Sequence, residues 1–61
     1  MNFCKLTMED GRSTYVNLDR VSELFTMANG QTLIVFNDAM STRVLETPEQ
    51  IMNWISTGRL E

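Results

Sequence analysis

RVSELFTMANGQTLIVF, residues 20–36, is the stretch on which the fold turns. Its first half admits two readings, because Val21, Leu24, Phe25 and Ala28 also fit the i, i+3, i+4 spacing of an amphipathic helix. Two features favour strand. The segment runs directly into Asn29-Gly30, the dipeptide best suited to a type I′ hairpin. The run after it, QTLIVF, is short, β-branched and aromatic, as a buried strand is.

Working outward toward the start, NLDRV (17–21) breaks the rhythm, and Asn17 and Asp19 are residues that turn a chain by accepting backbone hydrogen bonds. FCKLTM (3–8) alternates Cys4, Leu6 and Met8 with Lys5 and Thr7. STYVNL (13–18) alternates Thr14, Val16 and Leu18 with Ser13, Tyr15 and Asn17. Asp10-Gly11 between them is a hairpin signal. Toward the other end, NDAM (37–40) supplies a further turn and STRVLE (41–46) a fifth strand.

The period then changes. In LETPEQIMNWISTG (45–58), Thr47 is an N-cap, Gln50 completes a capping box, Pro48 opens the first turn and Gly58 is the C-cap. Glu49 lies where the helix dipole favours negative charge. The spacing predicts a helix over about 48–57, with Ile51, Trp54 and Ile55 on one apolar stripe and Met52 on its flank. Truncating Trp54 in so small a core is expected to cost about 3–5 kcal/mol. The fold expected is mainly β with one C-terminal helix: a small antiparallel β-roll or SH3-like barrel of about five short strands, as a single domain over 1–61. Gly11 and Gly30 mark its turns, and Thr47, Ile51, Trp54 and Ile55 its closing helix.

Composition narrows the chemistry. The chain of 61 residues has no histidine, so the usual general base near neutral pH and the commonest transition-metal ligand are missing. Its glycines stand apart at 11, 30 and 58, which leaves no phosphate-binding loop, and no cofactor is expected. Cys4, the lone cysteine, reads as a packing residue rather than a reactive thiol. Glu9-Asp10 reads as a solvated turn, Asp19 and Glu23 would meet only on a helix and separate in the strand reading, and no calcium-loop pattern supports a site at Asp38 with Glu46 or Glu49. No enzyme is expected. No apolar run reads as a secretion signal or membrane span, so a cytoplasmic protein with no membrane partner is the expectation. A chain this short is also a candidate for homo-oligomerisation.

What remains is surface. Phe3, Phe25, Phe36 and Trp54 read as core, whereas Tyr15 shares a strand face with the polar Ser13 and Asn17 and reads as a binding anchor. Met8, Met27 and Met52 read as gap-fillers, and Met40, in a turn, as the exposed one. The candidate interface is Arg12, Tyr15, Met40 and Arg43, directed at another protein. The alternative is a nucleic acid, with Lys5, Arg12, Arg20 and Arg43 on phosphates and Tyr15 stacked on a base. A net charge of −3 argues against it.

The order of signals resembles a family. KLTMEDGRSTYVNLDRV, followed later by VLETPEQIMNWI, is similar to the small flagellar FlbD-type proteins and their swarming-motility relatives. The matching positions are Lys5, Leu6, Thr7, Gly11, Asn17, Asp19, Val21, Val44, Glu46, Thr47, Glu49 and Ile51. Between them, TMANGQTLIVFNDAM places an Asn-Gly and an Asn-Asp turn where the family's pattern is looser. The resemblance implies a non-enzymatic accessory protein that acts through partners, with no catalytic residue to carry over. The physics fits equally a phage- or mobile-element-encoded inhibitor of a host protein.

Overall fold

The computed structural model describes residues 2–60. β1 (Phe3–Thr7) and β2 (Ser13–Asn17) pair antiparallel, and β3 (Val21–Thr26), β4 (Thr32–Phe36) and β5 (Ser41–Val44) form a second antiparallel sheet in that order. The helix α1 (Pro48–Thr57) follows. The mainly β architecture with a C-terminal helix is thus the one read from sequence, and the ambiguous stretch at 21 is strand. The barrel does not close. The two sheets meet at an isolated antiparallel bridge between Met8 and Val44, beside which the Leu45 N–H donates to the Thr7 carbonyl at 2.8 Å.

The three hairpin loops are one turn used three times, and this corrects the type I′ expectation at Asn29-Gly30. There the Gly30 N–H donates to the Met27 carbonyl at 2.9 Å and the Met27 N–H to the Gln31 carbonyl at 2.8 Å. Gly30 alone holds positive φ, at 85°, so the loop has three residues and ends in the left-handed region. Met8–Arg12 repeats the pattern with Gly11 at φ 89°, and Phe36–Met40 repeats it with Ala39 at φ 71°. In each loop an Asp or Asn oxygen accepts the backbone N–H two residues on. Asp10 receives Arg12 at 3.0 Å, Asn29 receives Gln31 at 3.0 Å and Asp38 receives Met40 at 3.1 Å. The break at NLDRV is a 3₁₀ turn, Leu18–Arg20, capped by the Asn17 side chain, which accepts the Asp19 N–H at 3.1 Å.

The period-2 alternation buries Cys4, Leu6, Val16, Ile34 and Val44 on the inward faces, joined by Leu18 and Ile51. Val21, Leu24, Phe36, Trp54 and Leu60 pack partly buried against this cluster. Buried Thr32 donates its hydroxyl to the Glu46 carbonyl at 2.7 Å, which satisfies the polar atom its position brings inside. The Glu46 carboxylate reaches back to β1, accepting the Thr7 N–H and the Thr7 hydroxyl, each at 2.9 Å.

Both helix ends are as the sequence specifies. The Thr47 hydroxyl accepts the Gln50 N–H, the Gln50 side chain accepts the Thr47 N–H, Pro48 opens the first turn, and Gly58 ends it in the left-handed region. The apolar stripe is only half used. Ile51 is fully buried and Trp54 partly so, its indole N–H donating to Asn2 Oδ1 at 3.3 Å. Ile55 and Met52, expected against the core, are instead 50% and 54% exposed. β3 is the edge of its sheet, so no further strand lies beyond it to receive that flank of the helix.

Candidate functional site

The β1–β2 ladder determines what Tyr15 presents. Its flanking bonds run from the Leu18 N–H to the Asn2 carbonyl and from the Met8 N–H to the Arg12 carbonyl. Alternation from these through the observed register makes Thr14 and Val16 the residues of β2 that bond to β1. The N–H and C=O groups of Ser13 and Tyr15 and the Asn17 N–H therefore point away from the sheet, along its open edge, while the Asn17 carbonyl opens the 3₁₀ turn. The Tyr15 side chain stands on the outer face opposite Lys5 and is 66% exposed. Phe3, opposite Asn17, shares that face and is also exposed, although it reads as core in the sequence.

Arg12 closes the hairpin tip, and its Nε donates to Asp10 Oδ2 at 2.6 Å. The Arg12 backbone N–H and then its guanidinium hold the Asp10 carboxyl below the usual carboxylate range. Arg43 stands on the outer face of β5 opposite Leu33, which stands opposite Phe25 on β3, so the three form a row across the sheet. Between the hairpin tip and β5 lies an open groove of about 470 Å³, walled by Glu9, Asp10, Leu33 and Arg43 among others. Met40 is exposed as expected, but it lines a separate recess of about 200 Å³ with Arg20 and Asp38. The four candidate residues therefore stand apart: Arg43 on the groove wall, Arg12 at the hairpin tip on Asp10, Tyr15 on the hairpin's outer face, and Met40 at the far turn.

Two apolar surfaces escape a reading of sequence alone. Phe25 is exposed because it alternates outward from Leu24, and the helix-like spacing of that segment hides this parity. Val21, Leu24, Pro48, Met52 and Ile55 line a groove of about 420 Å³ between β3 and α1. The signal for it was the width of the helix stripe, which includes 51, 52, 54 and 55 and exceeds what one edge strand covers.

The reactive groups are structurally occupied. Cys4 is buried as expected, and burial first, then the nearby Glu46 charge, push its thiol pKa up, away from thiolate chemistry. Glu46 holds Thr7, and Asp38 holds its own turn. Among the described residues no three His, Cys, Asp or Glu side chains gather as a metal site. No helix among them is long and apolar enough to cross a membrane. No family model, curated protein or solved structure matches the chain.

Proposed function

We propose that this chain is a small non-enzymatic adaptor or regulator that works by binding another protein through the outer faces and open edges of its strands. One observation carries the reading: of its aromatic residues, Tyr15, Phe3 and Phe25 all stay exposed on outward strand faces. Exposed aromatics in a polar surround are the residues that dominate protein interfaces. Strand edges add main-chain hydrogen bonds, so a partner segment gains affinity from the backbone and specificity from Tyr15 and Arg43. The resemblance to FlbD-type proteins supports a motility-associated, cytoplasmic partner, and a phage-encoded inhibitor would use the same surface.

Affinity capture from the native cell, repeated with Tyr15→Ala and Arg43→Ala, tests this. Recovery of a partner that either variant weakens supports the interface, and recovery of none that they weaken removes it. A salt titration of oligonucleotide binding tests the nucleic-acid alternative: binding at low salt that falls steeply with added salt would replace the protein-binding reading.

A further inference from the structure

We infer that the open edge of β2 is a self-complementary docking strand, and that its occupant is β2 of a second copy of this chain, antiparallel about a two-fold axis at Tyr15. The assignment rests on the protein-binding reading and names a partner for it. Of the four edge strands, β1 and β5 meet at the Met8–Val44 bridge, and of the other two β2 is better suited to pairing than β3. β3 carries an irregularity between Val21 and Glu23, where the bulged Ser22 bends its hydroxyl back to the Val35 carbonyl at 3.1 Å. Bulges and charges blunt an edge, and β3 has both, since Glu23 sits within it. β2 pairs with β1 in unbroken register over all of STYVN, and it contains no charged residue, glycine or proline.

The symmetry follows from the ladder. The outward-facing backbone groups belong to Ser13, Tyr15 and Asn17, a set centred on Tyr15. A two-fold at Tyr15 opposes Tyr15 to the second copy's Tyr15 and Ser13 to its Asn17, and about four main-chain hydrogen bonds form: two at the tyrosine pair and one from each Asn17 N–H to the opposed Ser13 carbonyl, the Asn17 carbonyl being engaged in its own 3₁₀ turn. The tyrosine side chains then meet on the outer face as a cross-strand aromatic pair, with Phe3 and Lys5 of each copy beside them. Charge complements this register beyond the strand ends. The antiparallel direction carries the Asp10–Arg12 tip of one copy toward the exposed Asp19 and Arg20 of the other, placing an acid and a base on each side. A parallel arrangement would set like ends together, Asp10 against Asp10 and Arg20 against Arg20.

Cysteine cross-linking reads the register directly, and the buried native Cys4 leaves the wild type as the blank. The expected result is a covalent dimer from Tyr15→Cys alone, and from a mixture of Ser13→Cys with Asn17→Cys copies. Ser13→Cys alone should give none. Sedimentation of the wild type across the micromolar range should show a monomer–dimer equilibrium. Tyr15→Pro should weaken it by about tenfold or more, because it deletes an outward N–H without touching a bond to β1. Circular dichroism matching the wild type confirms that this variant is folded. A wild type that stays monomeric, or a dimer with cross-links at other pairs, overturns the assignment. Neither result bears on capture of a different protein by Tyr15 and Arg43, so the broader reading survives or fails separately.

Discussion

Ala39 holds φ 71° in a loop whose two sister loops use glycine at the same place. An added Cβ at Gly11 or Gly30 meets nothing within 4 Å, so glycine serves there for its backbone freedom and not for space. The left-handed region costs a non-glycine residue about 1–2 kcal/mol, and glycine gives back about 0.4–1 kcal/mol through its freer unfolded chain. Ala39→Gly should therefore stabilise the protein by about 0.5–1 kcal/mol and raise its melting temperature by about 2–8 °C in thermal unfolding. An unchanged or lowered value would show that this turn is not strained. Cys4 gives a second residue-scale prediction. Its folded pKa lies above its ordinary value of 9.0, so its contribution to stability is complete below that pH. As pH rises past 9.0 toward the folded pKa, that contribution is lost. Denaturation midpoints should fall in that alkaline window, and a Cys4→Ala variant should lack that part of the fall.

Among the elements, α1 was legible almost to the residue, because every partner in its capping box lies within three positions of Thr47. Thr47→Ala should cost about 1 kcal/mol in chemical denaturation. The burial of its stripe was not legible. Period alone cannot tell how much sheet lies beneath a helix, and β3 ends the sheet under Ile55. The large loss expected at Trp54 accordingly belongs to Ile51. Ile51→Ala should cost about 3 kcal/mol, and Trp54→Ala less than the 3–5 kcal/mol of a fully buried aromatic, because Trp54 is only partly buried. The Glu46–Thr7 clasp was invisible for a different reason, since it joins residues 39 positions apart that only the closed fold brings together. Glu46→Ala should cost about 2 kcal/mol by leaving the Thr7 N–H without its acceptor, and a neutral result would contradict the clasp. The hairpins were legible in place but not in kind. Asn-Gly announces a turn, yet its type depends on how many residues the flanking strands leave unpaired.

At the scale of the whole molecule, one layer of strands wraps an apolar cluster that α1 closes from one side. A chain this small cannot cover both sides of that layer, so its outer faces keep Phe3, Tyr15 and Phe25 in solvent. The helix contributes a competing surface, the Met52–Ile55 groove. Capture of a native partner by matched surface variants separates the two most directly, with each variant first shown to melt like the wild type. Tyr15→Ala and Arg43→Ala should lose the partner, while Met52→Ser and Ile55→Ser should keep it. Retention by the strand variants, with loss from the helix variants, would contradict a strand-borne interface and move function to the groove between β3 and α1.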